Sequence, residues 1–204
     1  METLAHVRRF GPLWLKKLIW NLDFRRTKWE KGSPAQKLIE LLLQTLQPES
    51  RVLDLGCANG ALLACLRAGG WKGHYTGVDV SSEALKRAAA RGIPECEWKV
   101  CDIADYTTLS RYDVIVASNS LYYLCLDEAT RLLERLPGYL TPNGTIIIRI
   151  HDKEQYRNYT EVIEKIYPTA QKLAFGNGPV YYIYRKKSID PPKTIECKVQ
   201  NDVA

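Results

Sequence analysis

Val52-Leu53-Asp54-Leu55-Gly56-Cys57-Ala58-Asn59-Gly60 is the stretch that decides the fold. An apolar strand ends in a carboxylate and a glycine turn, and a helical period follows from Ala61 to Ala68. A glycine turn lets backbone approach a ligand closely, and the free N–H groups of the helix behind it favour negative charge. Dinucleotide-binding enzymes carry GxGxxG here, with a pyrophosphate against the helix. In this chain Gly56 and Gly60 stand four apart and Asp54 sits at the strand end, where its charge repels a diphosphate and suits a cationic ligand with an amino group.

Outward from this segment the pattern repeats. Tyr75–Val80 reads as a strand followed by a helix over Ser82–Arg91, and Glu97–Cys101 as a strand followed by a partial helix near Tyr106–Ser110. Val114–Ala117 precedes a helix over Leu126–Leu140, and Thr145–Ile150 precedes one over Gln155–Ile166. Strands alternating with helices mean a mostly parallel sheet covered on both faces. The alternation stops at Lys172–Phe175 and Val180–Tyr184, two β-rich runs separated by Gly176-Asn177-Gly178-Pro179, which read as an antiparallel hairpin. The expected fold class is therefore α/β: a Rossmann-like three-layer sandwich with a mostly parallel seven-stranded sheet ending in a hairpin. Ahead of the sheet, Leu13–Leu22 reads as a short amphipathic helix with a polar stripe of Lys16, Lys17 and Asn21. A second helix runs over Ala35–Leu46, announced by Ser33-Pro34.

The Asp54–Gly60 segment resembles the first motif of the class I S-adenosylmethionine-dependent methyltransferases, an apolar pair followed by D-x-G-x-G-x-G, with Ala58 in place of the middle glycine. The resemblance implies that S-adenosyl-L-methionine is the cofactor and S-adenosyl-L-homocysteine the product, with no metal required. It turns Asp54 and Gly56 toward the methionine moiety and counts Cys57, Ala58 and Gly60 among the cofactor-binding residues. Asp79 ends the next strand 19 residues after Gly60, close to the spacing expected for a ribose-binding acid. A carboxylate there, with Val80 beside it, can accept both ribose hydroxyls, although an acid at a strand end also serves as an ordinary helix cap. By the same resemblance Asp102 accepts the adenine amino group and the Ile103 N–H reads the ring. All three acids then lie along the carboxyl edge of the sheet, where open α/β sheets bind ligands.

The acceptor side is less specific. Ser118-Asn119-Ser120 follows the fourth strand, and Asn119 and Ser120 are candidates for lining the methyl-transfer cavity. In Leu121-Tyr122-Tyr123-Leu124, Tyr123 stands where many relatives place a histidine and is a catalytic candidate beside His151; Tyr122 and Tyr123 serve either as substrate contacts or as packing at a helix start. Among three histidines, His151 is best placed for proton removal, its unperturbed pKa near 6.5 suiting the task, against the reading of a solvated loop residue. Arg26 and Trp29, in the basic aromatic stretch before the sheet, are lid candidates; packing on the sheet or contact with a membrane surface are the competing roles.

Residues 1–34 are accordingly expected to form an N-terminal helical lid or cap segment. Residues 35–187 form the S-adenosylmethionine-binding domain, and 188–204 a flexible tail. The 204 residues carry 46% hydrophobic and 25% charged side chains and a net charge of +6, basic but short of a dedicated nucleic-acid binder. Six cysteines are scattered without metal-ligand spacing, which points to a reduced, cytoplasmic protein, and no apolar run reaches bilayer length. The expected activity is methyl transfer to a nitrogen or oxygen of a small-molecule acceptor, a sugar or secondary metabolite, with a homodimer as the assembly considered. The rivals are a nicotinamide-dependent oxidoreductase, a catalytically silent methyltransferase-like binding module and an RNA methyltransferase. Asp54 counts against the first, and a missing Asn/Asp-Pro-Pro-Tyr/Phe signature against the last.

Overall fold

A computed structural model describes residues 2–26, 35–176 and 178–187. Val52, Leu53, Val114, Ile115, Val116, Ile146, Ile147 and Ile148 are all at most 1% exposed, so consecutive side chains on both faces of each strand are covered. β-branched and leucine runs of this kind gain about 1.5–3 kcal/mol per fully buried side chain only if helices pack on both sides. The strands are β1 (Arg51–Leu55), β2 (His74–Asp79), β3 (Cys96–Val100), β4 (Tyr112–Ser118), β5 (Leu140–Ile150), β6 (Gln171–Ala174) and β7 (Val180–Arg185). They form one sheet in the order β3-β2-β1-β4-β5-β7-β6; the first five are mutually parallel and β7 is antiparallel to both its neighbours.

The helices are α1 (Glu2–Phe10), α2 (Leu13–Arg26), α3 (Gln36–Thr45), α4 (Ala61–Ala68), α5 (Ser82–Ala89), α6 (Leu126–Arg135) and α7 (Arg157–Ile166). Leu38, Leu42, Leu63 and Leu66 of α3 and α4 pack with Val52, Val114, Val116 and Ile147 on one face of the sheet. On the other face Leu132, Leu133 and Ile163 of α6 and α7 pack with Leu53, Leu55, Ile115 and Ile148. The alternation of partners along each strand follows from the two-residue period of the pleat. The strand order reverses between β1 and β4, and such a switch point opens a crevice at the carboxyl edge.

Several elements differ from the sequence reading. The stretch Tyr106–Ser110 forms no helix: the Thr108 hydroxyl accepts from the Ser110 amide at 3.0 Å, a local bond that competes with helix formation. The helix expected through Leu140 stops at Arg135, and Pro137 tightens the chain into a 3-10 turn over Leu136–Tyr139. β5 then starts at Leu140 rather than Thr145. Tyr112 pairs with Leu140 and Val114 with Thr145, so the extra residues of β5 bulge outward, with Asn143 left-handed at φ 65°. α1 has no counterpart in the sequence reading; it breaks at Gly11-Pro12, and α2 continues past Leu22 to Arg26. Ser33-Pro34 and the tail 188–204 lie outside the described residues. No described helix is long and apolar enough to cross a membrane.

Candidate active site at the carboxyl edge

A cavity of about 630 Å³ opens above the switch point and takes lining residues from five strand ends and from α1 and α2. That volume lies within the range of small-molecule and cofactor sites. Following the sheet order, its floor carries Asp102 after β3, Asp79 ending β2 and Asp54 near the end of β1. Ser118 ends β4 and Asn119 and Ser120 follow it, and Arg149 and His151 lie at the end of β5. With neighbouring strands about 4.8 Å apart, this row spans roughly 19 Å.

Each acid is held differently. Asp54 is 4% exposed and its Oδ2 accepts a hydrogen bond from the Tyr75 hydroxyl. Burial pushes its carboxyl up to about 7, Tyr75 pulling back and the nearby Asp79 adding to the rise. Burial also holds the Tyr75 hydroxyl well above its ordinary range, which keeps it a donor to Asp54. Asp79 Oδ2 accepts from the Ala58 amide at 2.9 Å and Oδ1 from the Ser81 amide at 2.8 Å, so this side chain ties the glycine loop to the start of α5. Burial raises its carboxyl while those two amides lower it. Asp102 Oδ1 accepts from the Ala104 amide at 3.0 Å.

The loop itself is shaped by close approach. Gly56 has φ +85°, and a Cβ there would stand 2.6 Å from Ser120 Cβ, so only glycine lets the β1 loop meet the β4 loop. At that junction Asn119 Oδ1 and Ser120 Oγ are buried without a hydrogen-bond partner among the described residues. Orphaned polar atoms facing a cavity are costly unless something polar satisfies them, and an amino-acid moiety bound there would do so. The acid row and these orphans therefore fit a sulfonium nucleoside. Cys57 also lines the cavity, its thiol held well above the usual range by burial.

On the acceptor side Tyr122 is buried, and its Oη lies 2.9 Å from His151 Nδ1. Tyr156 stacks on Tyr122 with ring centroids 3.9 Å apart, and burial raises the Tyr122 hydroxyl well above its ordinary range. Tyr123 lines the cavity edge-on to Trp20 of α2, centroids 4.8 Å apart. Arg149 lies over the Tyr181 ring and donates from Nε to Tyr181 Oη at 3.2 Å; it enters no ion pair among the described residues.

Of the residues singled out in the sequence, Asp54, Gly56, Cys57, Ala58, Asp79, Val80, Asp102, Ile103, Asn119, Ser120, Tyr122, Tyr123 and His151 all line this one cavity. Gly60 does not. It opens α4 in the left-handed region, and a Cβ there would lie 2.7 Å from the Trp98 ring, so its place is one of packing. Arg26 is exposed and not part of the lining, and Trp29 lies outside the described residues. Sequence reasoning missed Arg8, Lys16, Trp20 and Arg149. Lys16 belongs to no solvated stripe, being 6% exposed. The signal was that apolar residues surround α2 on all sides, which leaves its lysines no purely polar face. For Arg149 the signal was a lone charge inside an isoleucine run.

Residues 46–188 match the family model for a methyltransferase domain. A trans-aconitate 2-methyltransferase of Klebsiella pneumoniae (strain 342) is 34% identical over 147 residues, 72% of this chain and 54% of that protein. One from Deinococcus radiodurans is 28% identical over 147 residues, 70% of this chain and 55% of that protein. The chain thus spans about half the length of the curated relatives it matches. Among solved structures, the N-methyltransferase NodS from Bradyrhizobium japonicum WM9 with S-adenosyl-L-homocysteine shares the fold at a TM-score of 0.65. It is 20% identical, with 81% of this chain and 97% of that chain covered. With the matched region covering most of its length, the chain belongs to the methyltransferase domain family.

Proposed function

We propose that the chain binds S-adenosyl-L-methionine and transfers its methyl group to an oxygen of a small acceptor that carries a carboxylate. When bound, the cofactor supplies a methylsulfonium electrophilic enough that catalysis consists mainly of alignment and exclusion of water. In the order of the sheet edge, Asp102 and Ile103 receive the adenine, Asp79 the ribose diol and Asp54 the ammonium of the methionine moiety. Asn119 and Ser120 border that same amino-acid end and give it polar partners, and the β5 end faces the acceptor. No residue in this account is asked to bind a metal.

The observation that carries the acceptor reading is Arg149. Arg8 is paired with Asp23, and Lys16 with Asp102 and Glu128, whereas Arg149 has an aromatic support and a hydroxyl but no carboxylate. A guanidinium lining a cavity without a counter-ion recruits a carboxylate in bidentate fashion. Relatives named for trans-aconitate support an anionic acceptor over the neutral sugar also considered. A carboxylate oxygen needs no deprotonation near neutral pH. A Tyr122 hydroxyl that donates to Nδ1 would leave the His151 proton on Nε2, aimed at the acceptor's carboxylate; a hydroxyl acceptor would instead require the other tautomer, with Nε2 as base. α1 and α2 act as the lid: Arg9 donates twice to the Tyr122 carbonyl, at 3.1 and 3.0 Å, and Asn21 Oδ1 accepts from Ser81 Oγ at 2.8 Å. The free cysteines support a reducing, cytoplasmic location.

The test is turnover with labelled cofactor against a panel of carboxylic acids, sugars and amines. The expected product is a methyl ester, recognised by release of labelled methanol in mild base. A base-stable methyl amine or ether would overturn the carboxylate reading. Cofactor binding without turnover on any acceptor would favour a silent binding module.

A further inference from the structure

Lys16 is the one lysine that α2 turns inward among the residues lining the cavity, beside Asp102 and Ile103. Its Nζ lies 3.5 Å from Asp102 Oδ2 and 3.7 Å from Glu128 Oε2. Both are ion pairs longer than good hydrogen bonds, so the charge of the ammonium is compensated while its three donors are not saturated. The carboxylates are engaged elsewhere as well: Asp102 Oδ1 by the Ala104 amide and Glu128 Oε2 by the Cys125 amide, each at 3.0 Å. Among the residues that line the cavity, an acceptor, Asp102 Oδ2, thus stands side by side with a donor, Lys16 Nζ.

Burying a lysine between carboxylates is a poor way to stabilise a helix. Desolvation offsets most of the attraction, and an apolar residue such as the neighbouring Leu15 or Leu18 would pack there more cheaply. An acceptor beside a donor is, however, the complement of one edge of adenine. A glutamine or asparagine amide reads adenine in nucleic acids through that pattern, its oxygen taking the amino group and its nitrogen giving to N7. The Ile103 amide is expected to read the ring on the far side of the amino group, which leaves N7 open.

We propose that Lys16 is a nucleobase-binding residue, its ammonium donating to N7 of the cofactor's purine while Asp102 Oδ2 accepts from the purine amino group. The inference rests on the cofactor reading above and adds to it a contact from outside the strand ends. Base recognition then depends on the N-terminal helices, and a purine with an oxygen in place of the amino group is refused because it turns an acceptor toward Asp102. The rival is a latch in which Lys16 only holds α2 down and touches no ligand.

Calorimetry on the whole chain separates the two. S-adenosyl-L-homocysteine and its 7-deaza analogue are titrated into the natural chain and into Lys16→Met, with a thermal melt to establish that the variant is folded. The natural chain is expected to bind S-adenosyl-L-homocysteine about tenfold more tightly than the 7-deaza analogue, a usual size for one base contact. In Lys16→Met that gap closes to about twofold, and affinity for S-adenosyl-L-homocysteine falls by about tenfold. If Lys16→Met weakens both ligands equally and the gap persists, Lys16 is a latch and the proposal fails. Should the variant not fold, the natural chain decides alone: tight S-adenosyl-L-homocysteine binding without discrimination against the 7-deaza analogue overturns the proposal and leaves the cofactor reading intact. No heat with either ligand overturns both.

Discussion

Asp79 Oδ2 accepts a hydrogen bond from the Ala58 amide at 2.9 Å, so the acid that ends β2 is bonded directly to the glycine loop that follows β1. Two motifs read separately in the sequence are one mechanical unit. Asp79→Ala removes this bond, the 2.8 Å bond to the Ser81 amide and the acceptor for a ribose diol together. We expect S-adenosyl-L-homocysteine affinity to fall at least about a hundredfold, and stability by about 3 kcal/mol, the low end for two bonds to a charged group at about 1.5–3 kcal/mol each, because burial already disfavours the charge. Asp79→Asn, with one acceptor oxygen, should fall between. Calorimetry and urea melts read the two effects.

Asp54 predicts a pH dependence. Its carboxyl is pushed up to about 7 by burial, against 3.8 for an ordinary aspartate. A group whose folded-state value is raised contributes stability in full below the unfolded value, and that contribution is lost as pH rises through the folded value. The unliganded protein should therefore lose stability between about pH 4 and 7 on account of this residue. Binding of an ammonium-bearing ligand needs the ionised form, so S-adenosyl-L-homocysteine affinity should rise as pH climbs to about 7 and level off above it. Asp54→Asn should bind weakly at every pH and show no such slope in a calorimetric series.

Tyr122 and His151 form a pair whose two members can be separated. Tyr122→Phe removes the hydroxyl 2.9 Å from Nδ1 while keeping the stack on Tyr156, so the fold should hold. Acceptor kcat/KM should drop by about tenfold with cofactor affinity unchanged, the size of one lost hydrogen bond. His151→Ala should cost more in acceptor kcat/KM. Steady-state kinetics with each substrate varied in turn gives the answer.

Gly56 and Gly60 should fail in different ways. Both have positive φ, but a Cβ at Gly56 meets Ser120 in the cavity, whereas one at Gly60 meets the Trp98 ring beneath it. Gly60→Ala should cost about 1–3 kcal/mol through overpacking and leave the folded fraction able to bind cofactor. Gly56→Ala should abolish binding even where a melt shows folded protein.

The acids were legible because each closes an apolar strand run, and the run fixes where its end must lie. Asp54, Asp79 and Asp102 reach one cavity because parallel strands share one carboxyl edge. Lys16 and Arg8 were harder to place: apolar residues all round α2 say that a lysine on it is covered, but an isolated helical pattern does not say which face docks on which strand end. Gly60 was read with the ligand because its motif position is shared by binding and by packing; only the Trp98 ring beneath it separates the two. The start of β5 was hidden by Pro142-Asn143-Gly144, a turn signal that the sheet absorbs as a bulge.

The measurement that tests the central claim most directly is a crystal structure of the chain with S-adenosyl-L-homocysteine. Adenine is expected at Asp102, the ribose hydroxyls on Asp79 and the amino-acid end between Asp54, Asn119 and Ser120, with Arg149 still open to an acceptor. A nucleoside lying in the reverse direction, or bound away from these strand ends, would contradict it.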